Sequence, residues 1–202
     1  MAVIENLFVY GAWCEGGSFH CFLKNYIDEI KSGYILGQVY RTSVGYPVYV
    51  ADGGDLVPGE LVTVRGPDVL WRILEEFHGV QPMNPAASLF QPTLRSVFDQ
   101  SGSELSQAHV FAVVPHMVEL KWMRIPGGDW RKDLTQMPPL PQRMTERQKN
   151  YIRRLGKSTG REIVPIDLDL YRELMKLELI VDKGRRLALS SLGRELLRFL
   201  HD

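Results

Sequence analysis

The alternation of apolar and polar residues between Leu7 and Val114 predicts a set of short strands punctuated by two amphipathic helices. Leu7, Phe8, Val9 and Tyr10 form an apolar run that ends at Gly11, the pattern of a buried strand closing on a glycine bend. Gly16, Gly17 and Ser18 follow, and Ser18 can cap a helix. Phe19, Phe22, Leu23, Tyr26, Ile27 and Ile30 then recur at helical spacing, which predicts a helix stopped at Gly33. Residues 34–41 and 44–50 read as strands, with Gly37 interrupting the first and Pro47 marking an edge or a bulge in the second. Asp52-Gly53-Gly54-Asp55 reads as a turn and residues 60–65 as a third strand. Pro67 and Asp68 open a second helix, whose apolar stripe is Val69, Leu70, Ile73, Leu74 and Phe77 and whose stop is Gly79. His78 stands four residues after Leu74, beside that stripe. A proline-bearing loop follows, then a hairpin of residues 93–98 and 108–114 about a turn at 99–103.

The pattern weakens from Pro115 to Arg143. Pro126-Gly127-Gly128 and Met137-Pro138-Pro139-Leu140-Pro141 are linker chemistry, which places a boundary near residue 142. Beyond it, Thr145 and Glu146 suit a helix start, and Tyr151, Ile152 and Leu155 form a stripe among Arg147, Lys149, Arg153, Arg154 and Lys157. Residues 167–178 predict a helix that buries Leu168, Tyr171, Leu174, Met175 and Leu177. Leu179-Ile180-Val181 and Leu187-Ala188-Leu189 flank Asp182-Lys183-Gly184-Arg185-Arg186, a hairpin with a basic tip. Residues 190–200 predict a last helix that buries Leu192, Leu196, Leu197 and Leu200.

Charge supports the same division. The 202 residues carry no net charge, but residues 1–142 hold 10 basic and 15 acidic side chains and residues 143–202 hold 14 basic and 9 acidic ones. A basic second module can meet an anionic partner. A composition of 45% hydrophobic and 24% charged residues excludes a mostly disordered chain. Cys14 and Cys21 are too few for a disulfide framework, and no metal-ligand spacing occurs. His20, His109, His116 and His201 are scattered, and Asp99 with Ser101 and Ser103 reads as a turn before a triad. A Cys14–His20 nucleophile pair is a minor alternative. Glu5 stands where a signal peptide would be basic, and no apolar run is long enough to span a membrane, so a cytoplasmic protein is the expectation.

The segment Leu7 to His20 resembles the Tyr-Gly-x-x opening of the γ-glutamylcyclotransferase-like family, which includes the γ-glutamylamine cyclotransferases and the plant avirulence-induced-gene proteins. Tyr10 and Gly11 match its Tyr-Gly-Thr/Ser-Leu motif, whereas Ala12 and Trp13 replace the hydroxyl residue and the Leu. The likeness runs over residues of about 5–130, through Gly37, Tyr46-Pro47, Gly59-Glu60 and the Gly128-Asp129-Trp130 triplet. It implies an α+β fold, a small mixed β-barrel with flanking helices over residues 1–142. It also implies a pocket for a small γ-glutamyl or amino-acid-like ligand, with Tyr10, Gly11, Ala12, Trp13 and Tyr46 as binding residues, and chemistry that needs neither metal nor organic cofactor.

In that family the α-amine of a γ-glutamyl group attacks its own γ-carbonyl and releases an amine with 5-oxoproline. The step needs a proton acceptor, a donor for the leaving nitrogen and donors to the oxyanion. Backbone N–H groups at the glycine bend are candidates for the last role. The resemblance places the catalytic Glu just before the glycine that ends the second helix. Here the segment reads Leu74-Glu75-Glu76-Phe77-His78-Gly79, so His78 occupies that position. Either catalysis is lost and the fold serves binding or regulation, or His78 is the acid/base of an active enzyme. An imidazole titrating near ~6.5 suits proton transfer but brings no negative charge to pair with an ammonium. Takeover by Glu75 or Glu76 is disfavoured: at ~100° per residue, Glu76 points nearly opposite to His78.

The end of the chain, helix then hairpin then helix, resembles the end of a winged-helix domain with the hairpin as the wing. That likeness makes Lys183, Arg185 and Arg186 candidate phosphate contacts and a nucleic acid or a protein the candidate partner of residues 143–202. The helix before the hairpin mixes Asp167, Asp169, Glu173 and Glu178 with Arg172 and Lys176, which is not a strongly basic reading surface.

Overall fold

The computed structural model describes residues 6–118, 120–158, 163–184 and 186–200. They fall into two compact units: residues 1–42 with 46–136, and residues 137–202 with the short segment 43–45.

The first unit is built on a six-stranded mixed sheet. Its strands are β1 (Asn6–Val9), β2 (Ile27–Arg41), β3 (Pro47–Val64), β4 (Phe90–Phe98), β5 (Glu104–Val113) and β6 (Met123–Ile125). The pairing order is β3-β1-β5-β4-β2-β6, and β2 also pairs with β3, so the sheet curls and its ladder returns to its starting strand. Among the described residues only the β1–β5 pairing is parallel, with Leu7 opposite His109. Leu7, Val39, Tyr49, Val62, Val97, Ala108 and Val110, drawn from five of the strands, are none of them more than 2% exposed. Helix α1 (Pro67–His78) buries Leu70 and Leu74, and Gly79 ends it in the left-handed region at φ 64°. A second helix, α2 (Trp130–Gln136), lies in the stretch whose composition reads as linker. It is fixed by the Trp130 Nε1–H donating to the Pro58 carbonyl at 2.6 Å and by an Arg41–Asp133 ion pair at 2.5 Å.

Several expectations change. The helix expected from Ser18 to Gly33 does not form: a 3-10 turn covers His20–Phe22, and β2 begins at Ile27. Phe19 and Leu23 are buried as the stripe requires. Tyr26 and Ile27, however, continue the helical period into a chain that pairs with β3 from Ile27 opposite Val64 to Arg41 opposite Pro47. The long ladder outweighs a local period that three or four residues satisfy by coincidence. Gly33 is therefore no helix stop. It lies inside β2, where a Cβ would come within 2.7 Å of Val97 Cγ1. The strands expected at 44–50 and 60–65 are parts of one strand, β3. Opposite β2 its register jumps from Asp55 facing Gly37 to Val50 facing Gln38, so residues 51–54 are an insertion within β3, and the turn expected at Asp52-Gly53-Gly54-Asp55 is an irregularity inside one continuous strand. Val69, assigned to the buried stripe of α1, is 57% exposed.

The second unit contains α3 (Leu140–Arg143), α4 (Glu146–Lys157), α5 (Leu168–Lys176), β7 (Ile180–Asp182), β8 (Leu187–Leu189) and α6 (Ser191–Leu197). The Thr145 hydroxyl accepts the Gln148 N–H while the Gln148 side chain accepts the Thr145 N–H, a complete capping box for α4. Asp167 caps α5 and Ser190 caps α6. In α5 the buried residues are Leu170 and Leu174, while Leu168 and Met175, expected inside, are exposed.

Candidate functional site

Four elements of the first unit meet at one aromatic cluster. The bend after β1 places Gly11 at φ 61°, where a Cβ would come within 2.8 Å of Pro47 Cγ, so glycine serves both the turn and the close approach. Gly11–Trp13 form a 3-10 turn that delivers the Trp13 indole. The last turn of α1 delivers Phe77 and His78, and β5 and β4 deliver Phe111 and Phe90. The His78 imidazole lies flat against Phe111 at 4.2 Å between centroids and 9° between planes, and against Trp13 at 5.4 Å and 22°. Phe77 and Phe90 meet it edge-on at 5.3 and 5.1 Å.

The electrostatics of this cluster are those of an apolar core. His78 Nδ1–H donates to the Leu74 carbonyl at 2.8 Å, which fixes the neutral tautomer and leaves the Nε2 lone pair as its other polar function. Burial among rings pushes the His78 pKa down to about 4. The Tyr10 hydroxyl is fully engaged: it donates to the Phe111 carbonyl at 3.3 Å and accepts the Tyr49 N–H at 2.8 Å. Burial raises its pKa well above the ordinary phenol value. Leu7, Phe8, Val9, Tyr10, Trp13, Leu74, His78 and Phe111 line a cavity of about 20 Å³. That is space for roughly one water molecule.

Tyr10, Trp13 and His78, three residues singled out in the sequence, thus share one cavity wall. Gly11 and Ala12 shape the turn beside it. Tyr46 is one ring further out, 5.5 Å from Phe19 and bonded to the Ser18 side chain. Three backbone donors that follow the glycine bend are engaged within the protein. Trp13 N–H and Cys14 N–H donate to the carbonyls of Tyr10 and Gly11, and Glu15 N–H donates to the Glu60 carboxylate at 2.9 Å. Cys14 is buried, and desolvation pushes its thiol up to about 12, the opposite of an activated nucleophile. Glu76 is exposed, off the cavity. Phe111 was not legible as a site residue: it reads as an ordinary inward position of a strand, and only the β1–β5 pairing brings it to His78.

Lys183 and Arg186 are exposed at the β7–β8 turn, where Lys183 N–H donates to the Arg186 carbonyl; Arg185 lies outside the described residues, as does His201. Among the described residues no group of three or more His, Cys, Asp or Glu side chains is placed to hold a metal ion. None of the described helices is long and apolar enough to cross a membrane.

The curled mixed sheet, the glycine bend after its first strand and the helix end facing that bend agree with the fold that the resemblance to the cyclotransferase-like class implies. The chain belongs to the "Gamma-glutamyl cyclotransferase, AIG2-like" family, whose model matches residues 7–132. Among solved structures it is similar to an AIG2-like protein from Mus musculus, at 18% identity over 60% of this chain and 83% of that one with a TM-score of 0.46. It is also similar to the uncharacterized protein PH0828 from Pyrococcus horikoshii, at 16% identity over 65% and 94% with a TM-score of 0.45. YkqA from Bacillus subtilis is similar at 15% identity over 66% and 42% with a TM-score of 0.49. No curated protein matches the chain.

Proposed function

We propose that this chain is a non-catalytic member of its family, which keeps the cyclotransferase fold as a binding or regulatory module and does not release 5-oxoproline. The observation that carries this reading is the state of His78. The resemblance puts the acid/base carboxylate at this position, and the side chain here is an imidazole held neutral among aromatic rings. It supplies no negative charge to a substrate ammonium, and a base of pKa about 4 has little drive to accept a proton at neutral pH. The small volume of the cavity supports the same reading, because about 20 Å³ cannot hold a γ-glutamyl group.

The competing reading, an active cyclotransferase with His78 as base, draws on one observation: the bond to Leu74 leaves Nε2 as an acceptor. A 5-oxoproline release assay on γ-glutamyl amines and γ-glutamyl dipeptides separates the two. No release by the wild-type chain is expected. Release that His78→Ala abolishes would overturn the non-catalytic reading. A nucleic-acid role for the second unit gains no support from α5, which exposes Asp169 and Glu173 alongside Arg172 and Lys176.

A further inference from the structure

The β4–β5 hairpin is complete in itself. Its strands pair along their whole length, from Phe90 opposite Val113 to Phe98 opposite Glu104. The base is tied by the Val114 N–H, which donates to the Leu89 carbonyl at 3.1 Å. The tip is tied by the Asp99 carboxylate, which accepts the Ser101 and Ser103 N–H groups at 2.8 and 3.0 Å.

Its ties to the rest of the sheet are few. Among the described residues β5 meets β1 at one bridge, Leu7 opposite His109, and β4 meets β2 at one bridge, Tyr34 opposite Phe98. By contrast, β2 pairs with β3 from Ile27 opposite Val64 to Arg41 opposite Pro47, and β1 pairs with β3 through all of its residues. Three side-chain bonds span the two seams. Asn6 Nδ2–H donates to Ser106 Oγ at 2.9 Å, the Tyr10 hydroxyl to the Phe111 carbonyl at 3.3 Å, and Arg95 Nη2–H to the Ala51 carbonyl at 3.1 Å. The Arg95 tie is incomplete, because its buried Nε–H has no acceptor. What seats the hairpin is its apolar face, with Val97, Ala108 and Val110 fully buried. A face of that kind is released all at once or not at all.

The cavity wall is divided along the same line. Phe111 comes from the hairpin, whereas Leu7 to Tyr10, Trp13, Leu74 and His78 come from β1, the turn after it and α1. We infer that the β4–β5 hairpin opens as a unit of its own, below the free energy of global unfolding, and that its unseating takes Phe111 off His78 and uncovers the cavity. The volume of about 20 Å³ belongs to the seated hairpin. Such a device goes beyond the proposed function and serves a binding site and a catalytic one alike.

Native-state hydrogen exchange tests it. A two-stranded hairpin released from its sheet is at best marginally stable in water, so its amides exchange once it unseats. Amides bonded between β4 and β5 are expected to exchange with a common opening constant, about tenfold above that of amides bonded between β2 and β3. A disulfide made by Asn6→Cys with Ser106→Cys, where the two side chains already meet, ties the hairpin to β1. In a Cys21→Ser background it is expected to slow β4–β5 exchange about tenfold and β2–β3 exchange less, and reduction is expected to reverse the effect. If the disulfide does not form, Arg95→Met removes the tie to Ala51 and is expected to speed β4–β5 exchange about fivefold, with a smaller change in β2–β3. Equal opening constants for the two ladders in wild type would overturn the inference. So would a crosslink or an Arg95→Met change that moves both ladders alike. The 5-oxoproline assay reads neither ladder, so the proposed function and the opening of the hairpin stand or fall separately.

Discussion

His78 shows how a neighbourhood redefines a residue. An imidazole in water titrates near ~6.5, and here burial among Trp13, Phe77, Phe90 and Phe111 takes it to about 4. The unfolded chain therefore binds a proton between those two values that the folded chain refuses. Stability rises with pH where the unfolded state holds more protons, so His78 costs the fold nothing above ~6.5 and progressively more as pH falls toward 4. The side chain keeps some solvent accessibility, which reduces the full linkage value to about 2 kcal/mol. Urea denaturation of wild type and His78→Phe at pH 7 and pH 4.5 checks this: the variant is expected to lose less stability on acidification by about that amount. Cys14 offers a second check at the same scale. Its thiol is buried and raised to about 12, while Cys21 is exposed. A thiol reagent at pH 8 is expected to label one cysteine in the native chain and the second only after unfolding; two fast-reacting thiols would contradict the burial of Cys14.

At the level of elements, energetics concentrate where the sequence reads as linker. Helix α2 closes the first unit through Trp130 and through Asp133, whose carboxylate meets the Arg41 guanidinium, itself 5% exposed. Removing the carboxylate takes an ion-pair partner from a nearly buried cation, so Asp133→Ala is expected to destabilise by about 2 kcal/mol, read from chemical denaturation. Thr145→Ala, which breaks the α4 capping box, is expected to cost about 1 kcal/mol. These elements also show which signals a sequence carries. Helix α1 was legible because Pro67, an apolar stripe and Gly79 mark its start, face and stop independently of the rest of the fold. The segment from Ser18 to Gly33 was not, because its helical period competes with a ladder whose partner, β3, lies some thirty residues downstream. Helix α2 was hidden between Pro126-Gly127-Gly128 and Met137-Pro138-Pro139, where breakers on both sides of a seven-residue helix read as one continuous linker.

Across the whole molecule the same divide governs the site and the units. Tyr10, Trp13 and His78 could be singled out from the segments that carry the family resemblance, but Phe111, which lines the cavity, and Phe90, which meets His78 edge-on, arrive only through strand pairing. The division into units likewise depends on a contact no local pattern announces. Residues 43–45 leave the first unit's chain between β2 and β3 and belong to the second unit, with Val44 fully buried and its carbonyl accepting the Leu140 N–H at 2.8 Å. This bond satisfies the first amide of α3, a four-residue helix too short to hold itself in water. A fragment of residues 137–202 therefore lacks the partner on which α3 depends. In native-state hydrogen exchange the Leu140 amide is expected to be protected in the full chain and to exchange freely in the fragment, while amides in the middle of α4, which has its own cap and stripe, stay protected in both. Equal protection of Leu140 in fragment and full chain would mean that the second unit is built from residues 137–202 alone and that the 43–45 segment only rests against it.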